Sequence, residues 1–572
     1  MRTMNIIKKR IAYYCVFAAT FLLQSCTDFF SFDETSALTE DMVFQGVGSQ
    51  RNFLFNIFSY LPRMDNSVGN SMLDCASDDA EYINDFSSIQ RFNSGNITVS
   101  LNPDDRWTHN YAGIQKCNKF LEKATVESLD TYKNNNNKDR DGQGYYPLVL
   151  KNLQYLRAEA RFLRAFFYFE LIKRYGGVPI ITSSDSINFD AKKISLTRNT
   201  FHECVGFIVT ELNKTIPDLA YIHDTSDGLL GQTGRATYGA GLALKSRLLL
   251  YAASPLFNPD NDPELWEKAA GAAHDLLREK SRYELEYTYG TLFLTQNSTE
   301  LIFERRIPDS NTFERDNFPI GYDGGNTGTC PSQNLVDAYE MRSTGLPIHA
   351  EGSGYNENNP YQGRDPRLTE TVLYNTSFWS GREVQTWNGG LDAPPIQNAS
   401  KTGYYLKKYL NQNVKIGSGQ NITQRHTWYL FRMGEIYLNF AEAANELMDN
   451  PDQKTEWGMS ARDAVNVIRK RARMPNFPEG MTKEAFREKL RNERRVELAF
   501  EGHRFWDVRR WNIGKETLGA DLRGVVVEKI SNNQYRYTYK VVEKRYFDDK
   551  MNLYPIPYAE TIKAGLQQNP GW

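Results

Sequence analysis

The chain of 572 residues is nearly charge-balanced, with 68 Lys and Arg against 70 Asp and Glu and a net charge of −2. That balance excludes the basic footprint that nucleic-acid binding requires, and the length allows several domains or one large one. The emphasis lies in 33 Tyr, 32 Phe and 9 Trp, which is more aromatic surface than a plain core needs. Sugars suit such surface, because the C–H face of a pyranose packs on a ring while its hydroxyls take polar partners.

The amino end carries Arg2, Lys8, Lys9 and Arg10, then an apolar run from Ile11 to Leu23, then Leu23-Gln24-Ser25-Cys26. The run is shorter than the roughly 20 residues a bilayer needs, so it reads as a signal peptide over residues 1–25. A small residue directly before a cysteine resembles a bacterial lipobox, which implies cleavage before Cys26 and lipidation of its thiol. Cys75, Cys117, Cys204 and Cys330 remain, too widely spaced for a disulfide framework. No CxxC or HExxH occurs, so no zinc site is expected. Asn137-Lys138-Asp139-Arg140-Asp141-Gly142 echoes a calcium loop, but Leu148 stands where the closing glutamate belongs. No cofactor and no metal are expected.

Beyond the tether, a helix near Met42–Tyr60 stops at Pro62. The stretch Asp74-Cys75-Ala76-Ser77-Asp78-Asp79-Ala80-Glu81-Tyr82 is polar and irregular, and reads as a loop of the kind that carries function. Helix resumes around Arg106–Thr125, where Trp107, Tyr111, Ile114, Asn118 and Leu121 recur at threes and fours. Four asparagines, Asn134 to Asn137, form a polar loop before the clearest helix, with Leu156, Ala160, Leu163 and Phe167 in one stripe. Tyr175-Gly176-Gly177-Val178-Pro179 ends that helix with a glycine cap and a proline. Further helices are expected at Thr200–Leu219, Tyr238–Ala253, Pro263–Glu279, Trp428–Leu447 and Ser460–Arg473, in pairs that suggest tetratricopeptide-like stacking. Phe293 to Leu410 interrupts them with Gly-, Asn- and Pro-rich chain and short strand-like runs at Glu300–Phe303 and Glu370–Tyr374. Gly524–Glu528 and Tyr535–Val541 alternate like a hairpin around Ser531-Asn532-Asn533.

The stretch Arg491 to Trp511 poses the main puzzle. A helical stripe runs from Phe486 and Leu490 through Glu493 and Glu497 to Phe500, so two carboxylates interrupt a core-like face. One reading makes them an acid and base pair one turn apart, as in a glycoside hydrolase. The other makes them anchors of a buried Arg–Glu network supplied by Arg494, Arg495, Arg504 and Arg509. Nearby arginines depress carboxylate pKa values and so oppose a general acid, which favours the structural reading.

Further blocks stand out in order: Leu163-Arg164-Ala165-Phe166-Phe167-Tyr168-Phe169-Glu170-Leu171 with the Tyr175 to Pro179 turn, Pro331 to Glu340, Arg364-Asp365-Pro366-Arg367-Leu368, Arg432 to Ala443, Glu501 to Asp507, Tyr554-Pro555-Ile556-Pro557 and Gln568-Asn569-Pro570-Gly571. Taken together in this order, they resemble the SusD/RagB family of outer-membrane nutrient-binding lipoproteins. The resemblance implies a mostly α, SusD-like fold of four tetratricopeptide-like helix pairs with a loop-rich elaboration containing short strands. It implies an amino region 26–290 packed with a carboxyl region 291–572. It implies no catalysis: the protein would be lipid-anchored at the cell surface and would pass captured oligosaccharide or polysaccharide to a SusC-like TonB-dependent transporter in the outer membrane.

Ligand contacts in such proteins sit in variable loops, so the candidates rest on physical grounds. Trp387-Asn388-Gly389-Gly390 with Trp379 and Arg382 is the first patch, since glycine lets a ligand approach a stacking indole. Tyr322 and Asp323 within Gly321–Gly328 come next, with Asp65, Asp78 and Asp79 in the early loops. Trp266 reads as helix packing. A helical-repeat adaptor without sugar affinity is the other alternative.

Overall fold

The computed structural model describes residues 40–133, 145–184, 197–221, 234–417 and 419–572. The expected lipidation site Cys26, the asparagine run and the calcium-like loop lie outside the described residues. The principal helices are α1 (Val47–Phe58), α2 (Trp107–Lys123), α3 (Tyr145–Tyr175), α4 (Phe201–Thr215), α5 (Tyr238–Ala253), α6 (Pro263–Leu277), α7 (Met433–Leu447), α8 (Ala461–Arg471) and α9 (Lys483–Glu497). A short α10 (Arg504–Arg510) follows. Among the described residues the strands form only two-stranded antiparallel pairs, so helices build the body.

Local chemistry starts and stops these helices where the chain must turn. Thr200 and Glu203 form a capping box at α4, Ser460 and Asp463 another at α8, and Thr482 caps α9. α3 ends on Gly176 at φ 73°, whose N–H donates to Ile172 O at 2.9 Å. Gly177 serves a different need, because a Cβ there would stand 2.0 Å from Asn199 O. The two glycines of the turn thus answer to backbone handedness and close approach respectively.

From Leu156 onward α3 is buried on nearly every side, between α2 and α4. A helix buried all round belongs at the centre of a body, and its buried Arg164, Glu170 and Arg174 are ion-paired there. α6 packs on α5, its neighbour in sequence, and also on α7, which lies beyond the long irregular region. Trp266 on α6 is buried, its Nε1 donating to Asn261 Oδ1 at 2.9 Å.

The irregular region contributes strands. β1 (Ala80–Tyr82) pairs with β3 (Thr329–Pro331), and β2 (Leu301–Arg306) with β4 (Thr427–Arg432). β4 corrects the expectation of helix from Trp428. Thr427-Trp428-Tyr429-Leu430-Phe431-Arg432 is β-branched and aromatic, buried along its whole length, and turns helical only at Met433. Glu370–Tyr374 is corrected too: Pro366–Thr371 is helical, with strand only at Val372–Leu373. The hairpin forms as β5 (Leu522–Ser531) and β6 (Gln534–Glu543). Its alternating tyrosines tie it down: Tyr537 meets Tyr361 edge-on at 5.6 Å, and the Tyr539 and Tyr355 hydroxyls lie 3.2 Å apart.

Candidate functional site

Glu493 and Glu497 point from α9 into the protein and are 2% and 0% exposed. Arg367 Nη1 donates to Glu493 Oε1 at 2.7 Å and to Glu497 Oε2 at 3.0 Å. Arg432 reaches Glu300 at 2.6 Å, Glu497 at 2.7 Å and Glu501 at 2.6 Å. Arg469 bridges Glu340 and Glu493, Arg471 binds Glu497 and Glu300, Lys408 binds Glu501, Lys489 binds Glu340, and Arg367 also holds Asp365. Six cations therefore face six carboxylates in one connected core network. Such a network persists only because each charge has a partner.

Burial alone would raise these carboxyls, but the surrounding arginines overcome it. Arg471, Arg432 and Arg367 hold Glu497 well below the usual carboxylate range, and Arg367 and Arg469 lower Glu493. A glycosidase acid needs the opposite shift. The pair is an anchor, but its partners are Arg367, Arg432, Arg469 and Arg471, which corrects the expectation of Arg494, Arg495, Arg504 and Arg509: these bind Asp507, Asp79, Asp78 and backbone carbonyls respectively. Its packing also explains Gly434, since a Cβ there would lie 2.2 Å from Arg432 Nη1 and 3.0 Å from Glu497 Oε1.

Asp78 and Asp79 belong to the same style of construction. Residues 71–80 are buried throughout, which corrects the expectation of a functional polar loop. Arg504 donates to both Asp78 oxygens at 2.9 Å, and Arg495 Nε donates to Asp79 Oδ1 at 2.7 Å. Their polarity serves these arginines. Neither aspartate is open to a ligand.

The remaining predicted residues divide into a brace and an open loop. Trp379 is 5% exposed, contrary to the expectation of an exposed ring, and meets Phe318 and Tyr322 at 5.0 Å each. The Tyr322 hydroxyl donates to Trp379 O at 2.9 Å. Arg382 lies 3.8 Å above the Tyr322 ring and grips buried Asp392 at 2.6 and 2.7 Å. Trp387 is half-buried beside Tyr535, with ring centroids 5.5 Å apart and Lys529 Nζ 5.0 Å over the indole. Asn388 and Gly389 are exposed, and no atom stands within 4 Å of a Cβ built on Gly389. Asp323 is exposed on its loop, whereas Asp65 is held by Arg63 at 2.6 Å.

The structure adds a feature that the sequence reading missed. Phe86 is 97% exposed, an extreme value for a large apolar side chain. It follows directly from β1, whose pairing with β3 continues as Ile83 N–H donates to Gly328 O at 2.9 Å. Asn84 Oδ1 accepts from the Phe86 N–H at 2.9 Å, and Ser87 Oγ donates to Gly69 O at 2.8 Å, so the loop is tied on both sides of the ring. On one side of Phe86 lies a cleft of about 450 Å³, lined by Tyr82, Asp85, Asp316, Asn326 and Asn398 among others. A second cleft of about 460 Å³ shares Phe86 and Asp85 with it and adds Ser88, Gln90, Arg91, Asn96 and Glu543. An aromatic face between rows of amide and carboxylate groups is what a pyranose can pack on while its hydroxyls hydrogen-bond.

One predicted segment reaches this place: the Gly321–Gly328 loop carries Asn326 and Gly328 into the first cleft, where burial pushes the Asp316 carboxyl up against the pull of Arg315, with a lesser push from Asp65. Lys401 Nζ donates to Tyr82 O at 2.8 Å and pairs with Asp85. Next to it, Thr402 O accepts from Val525 N–H at 2.8 Å. Two residues along β5, about 7 Å, Val527 O accepts from Asn388 N–H at 2.9 Å. The Phe86 cleft and the Trp387 loop are thus attached to one strand. The signal for Phe86 was a lone ring within Asn84-Asp85-Phe86-Ser87-Ser88, a run of turn-forming polar residues.

Paired helices with elaborated loops, an aromatic and polar cleft and charged pairs locked in the core define a mostly helical protein of the kind expected. Comparison with known proteins carries this further: the chain belongs to the SusD/RagB family. A model described as the SusD family matches residues 299–572, and one described as starch-binding and associating with the outer membrane matches residues 56–250. SusD-like protein P2 of Formosa agariphila is 24% identical over 438 residues, covering 73% of this chain and 74% of its own. A SusD-like protein of Bacteroides fragilis superposes with a TM-score of 0.75 at 28% identity, over 94% of this chain and 99% of its own. A second B. fragilis structure, a SusD-like carbohydrate-binding protein, gives 0.70 at 24% identity, over 91% and 99%.

Proposed function

We propose that this chain is a cell-surface lipoprotein that binds glycans without turning them over and passes oligosaccharide or polysaccharide to a SusC-like TonB-dependent transporter. The observation that carries the reading is the bare Phe86 ring between two polar clefts. The family descriptions of starch binding and outer-membrane association support it, as does the carbohydrate-binding relative in B. fragilis. Among the described residues no helix is long and apolar enough to cross a membrane, and a lipid on Cys26 would supply attachment. Trp387, Asn388, Tyr322, Asp323, Trp379, Arg382 and Asp65 enter the proposal in three ways. Trp387, Asn388 and Asp323 serve as outer contacts; Tyr322, Trp379 and Arg382 brace the 321–328 loop, and Asp65 adds negative charge near Asp316.

The test is native electrophoresis of residues 27–572 through gels containing single polysaccharides, with Phe86→Ala and Trp387→Ala alongside. Retardation relieved by Phe86→Ala is expected. Retardation unchanged by both variants would place the ligand elsewhere, and no retardation in any gel would favour the adaptor reading.

A further inference from the structure

The groups that line the first cleft bear on which glycans it accepts. Its charged members are Asp85 and Asp316, and no lysine or arginine lines it. The nearest cations are already held by these same two carboxylates. Lys401 pairs with Asp85 and sits 3.6 Å from Glu81, and Arg315 Nε stands 3.7 Å from Asp316 Oδ1. The rest of the polar lining is Asn84, Asn326 and Asn398, whose amides both donate and accept. Asp65 is likewise held in an ion pair, by Arg63 at 2.6 Å.

Recognition of a uronate or sulfate relies on a guanidinium or ammonium free to meet it, in bidentate form for arginine. With the nearest cations already held by Asp85 and Asp316, a polyanion entering the cleft gives up hydration without gaining a free partner, which costs free energy. A neutral pyranose meets no such barrier, because carboxylate and amide oxygens accept from its hydroxyls. We infer that the Phe86 cleft selects uncharged glycans and rejects polyuronates and sulfated glycans, with Asp85 and Asp316 as the rejecting groups. This rests on the glycan-binding reading above and adds the class of ligand to it. Arg91 and Glu543 line the second cleft, which shares Asp85 and Phe86 with the first.

The test measures affinity by gel retardation and calorimetry against laminarin, mannan and dextran, and against alginate, polygalacturonate and dextran sulfate, at low and at high salt. The expected result is binding to at least one neutral polymer, at least tenfold tighter than to any polyanion at low salt. Asp85→Asn with Asp316→Asn should narrow that gap at least threefold without lowering the melting temperature, since both side chains are partly exposed. A polyanion bound as tightly as the best neutral polymer, with affinity that falls as salt rises, would overturn the inference and leave glycan binding standing. A double variant that keeps the full discrimination would overturn the assignment to these two residues. Failure to bind any glycan would reject the glycan reading itself, and this inference with it.

Discussion

Arg495 Nε donates to Asp79 Oδ1 at 2.7 Å across 416 residues of chain. The contact ties α9 to the segment that leads through β1 to Phe86, so the core network and the candidate cleft share a support. Arg495→Ala leaves Asp79 buried without its charge partner, which costs about 3 kcal/mol. We expect a lowered melting temperature and weakened glycan retention together. Retention unchanged in a destabilised variant would show that the cleft does not depend on this support.

Glu497→Gln should destabilise the protein, because Arg432, Arg471 and Arg367 lose the carboxylate they share. Reducing-end release from any bound glycan should be absent in the wild type and in Glu493→Gln and Glu497→Gln alike. Release by the wild type that either substitution abolishes would restore the hydrolase reading.

Gly434→Ala places a Cβ 2.2 Å from Arg432 Nη1. The arginine cannot retreat without losing Glu300, Glu497 and Glu501, so the substitution costs about 2 kcal/mol although alanine favours helices. Thermal unfolding reads this directly. A gain in melting temperature would contradict the packing described.

Asp74 supplies a pH dependence. Burial, reinforced by the charge of Asp79, pushes its carboxyl up to about 7, and its Oδ1 has no hydrogen-bond partner. A carboxyl raised on folding contributes stability that is full below its unfolded pKa of about 3.9 and is lost as pH rises through about 7. Asp74→Asn removes that loss, so its advantage in melting temperature over wild type should widen from pH 5 to pH 8. Glu170 and Glu442 act in the other direction. Burial opposes their ionisation, but Lys173 with Arg174 and Arg510 respectively pull them down to about 2. The stability they contribute is present above about 4.3 and falls as pH drops toward 2, in wild type and variant alike. Parallel pH profiles above pH 5 would refute the role given to Asp74.

Phe86→Ala removes a side chain that is 97% exposed, so the melting temperature should hold within about 1 °C. Glycan affinity should fall at least tenfold, about 1.4 kcal/mol. Trp387→Ala should behave differently, lowering both, since the indole packs on Tyr535 and under Lys529.

Periodicity and caps made much of the scaffold legible. The 3.6-residue stripe at Leu156, Ala160, Leu163 and Phe167 marks α3, and Asn532-Asn533 between alternating runs marks the hairpin. Trp428 to Arg432 misled because a short apolar run fits a strand or a buried helix equally, and only its pairing with Leu301–Arg306 decides. Asp78 and Asp79 misled for another reason. Their partners Arg495 and Arg504 lie more than 400 residues away, so nothing local distinguishes a buried ion pair from a polar loop. Trp379 looked exposed because Tyr322 and Phe318, which cover it, come from another loop. Phe86 was overlooked by the same rule, since exposure depends on what the rest of the chain leaves uncovered.

The most direct test of the central claim is a crystal structure of residues 27–572 with an oligosaccharide cut from whichever polymer retards the protein. The account predicts a sugar ring against Phe86, with hydroxyls within hydrogen-bonding distance of Asp316, Asn326 or Asn398. A sugar bound at another face, with both clefts beside Phe86 left to solvent, would contradict it.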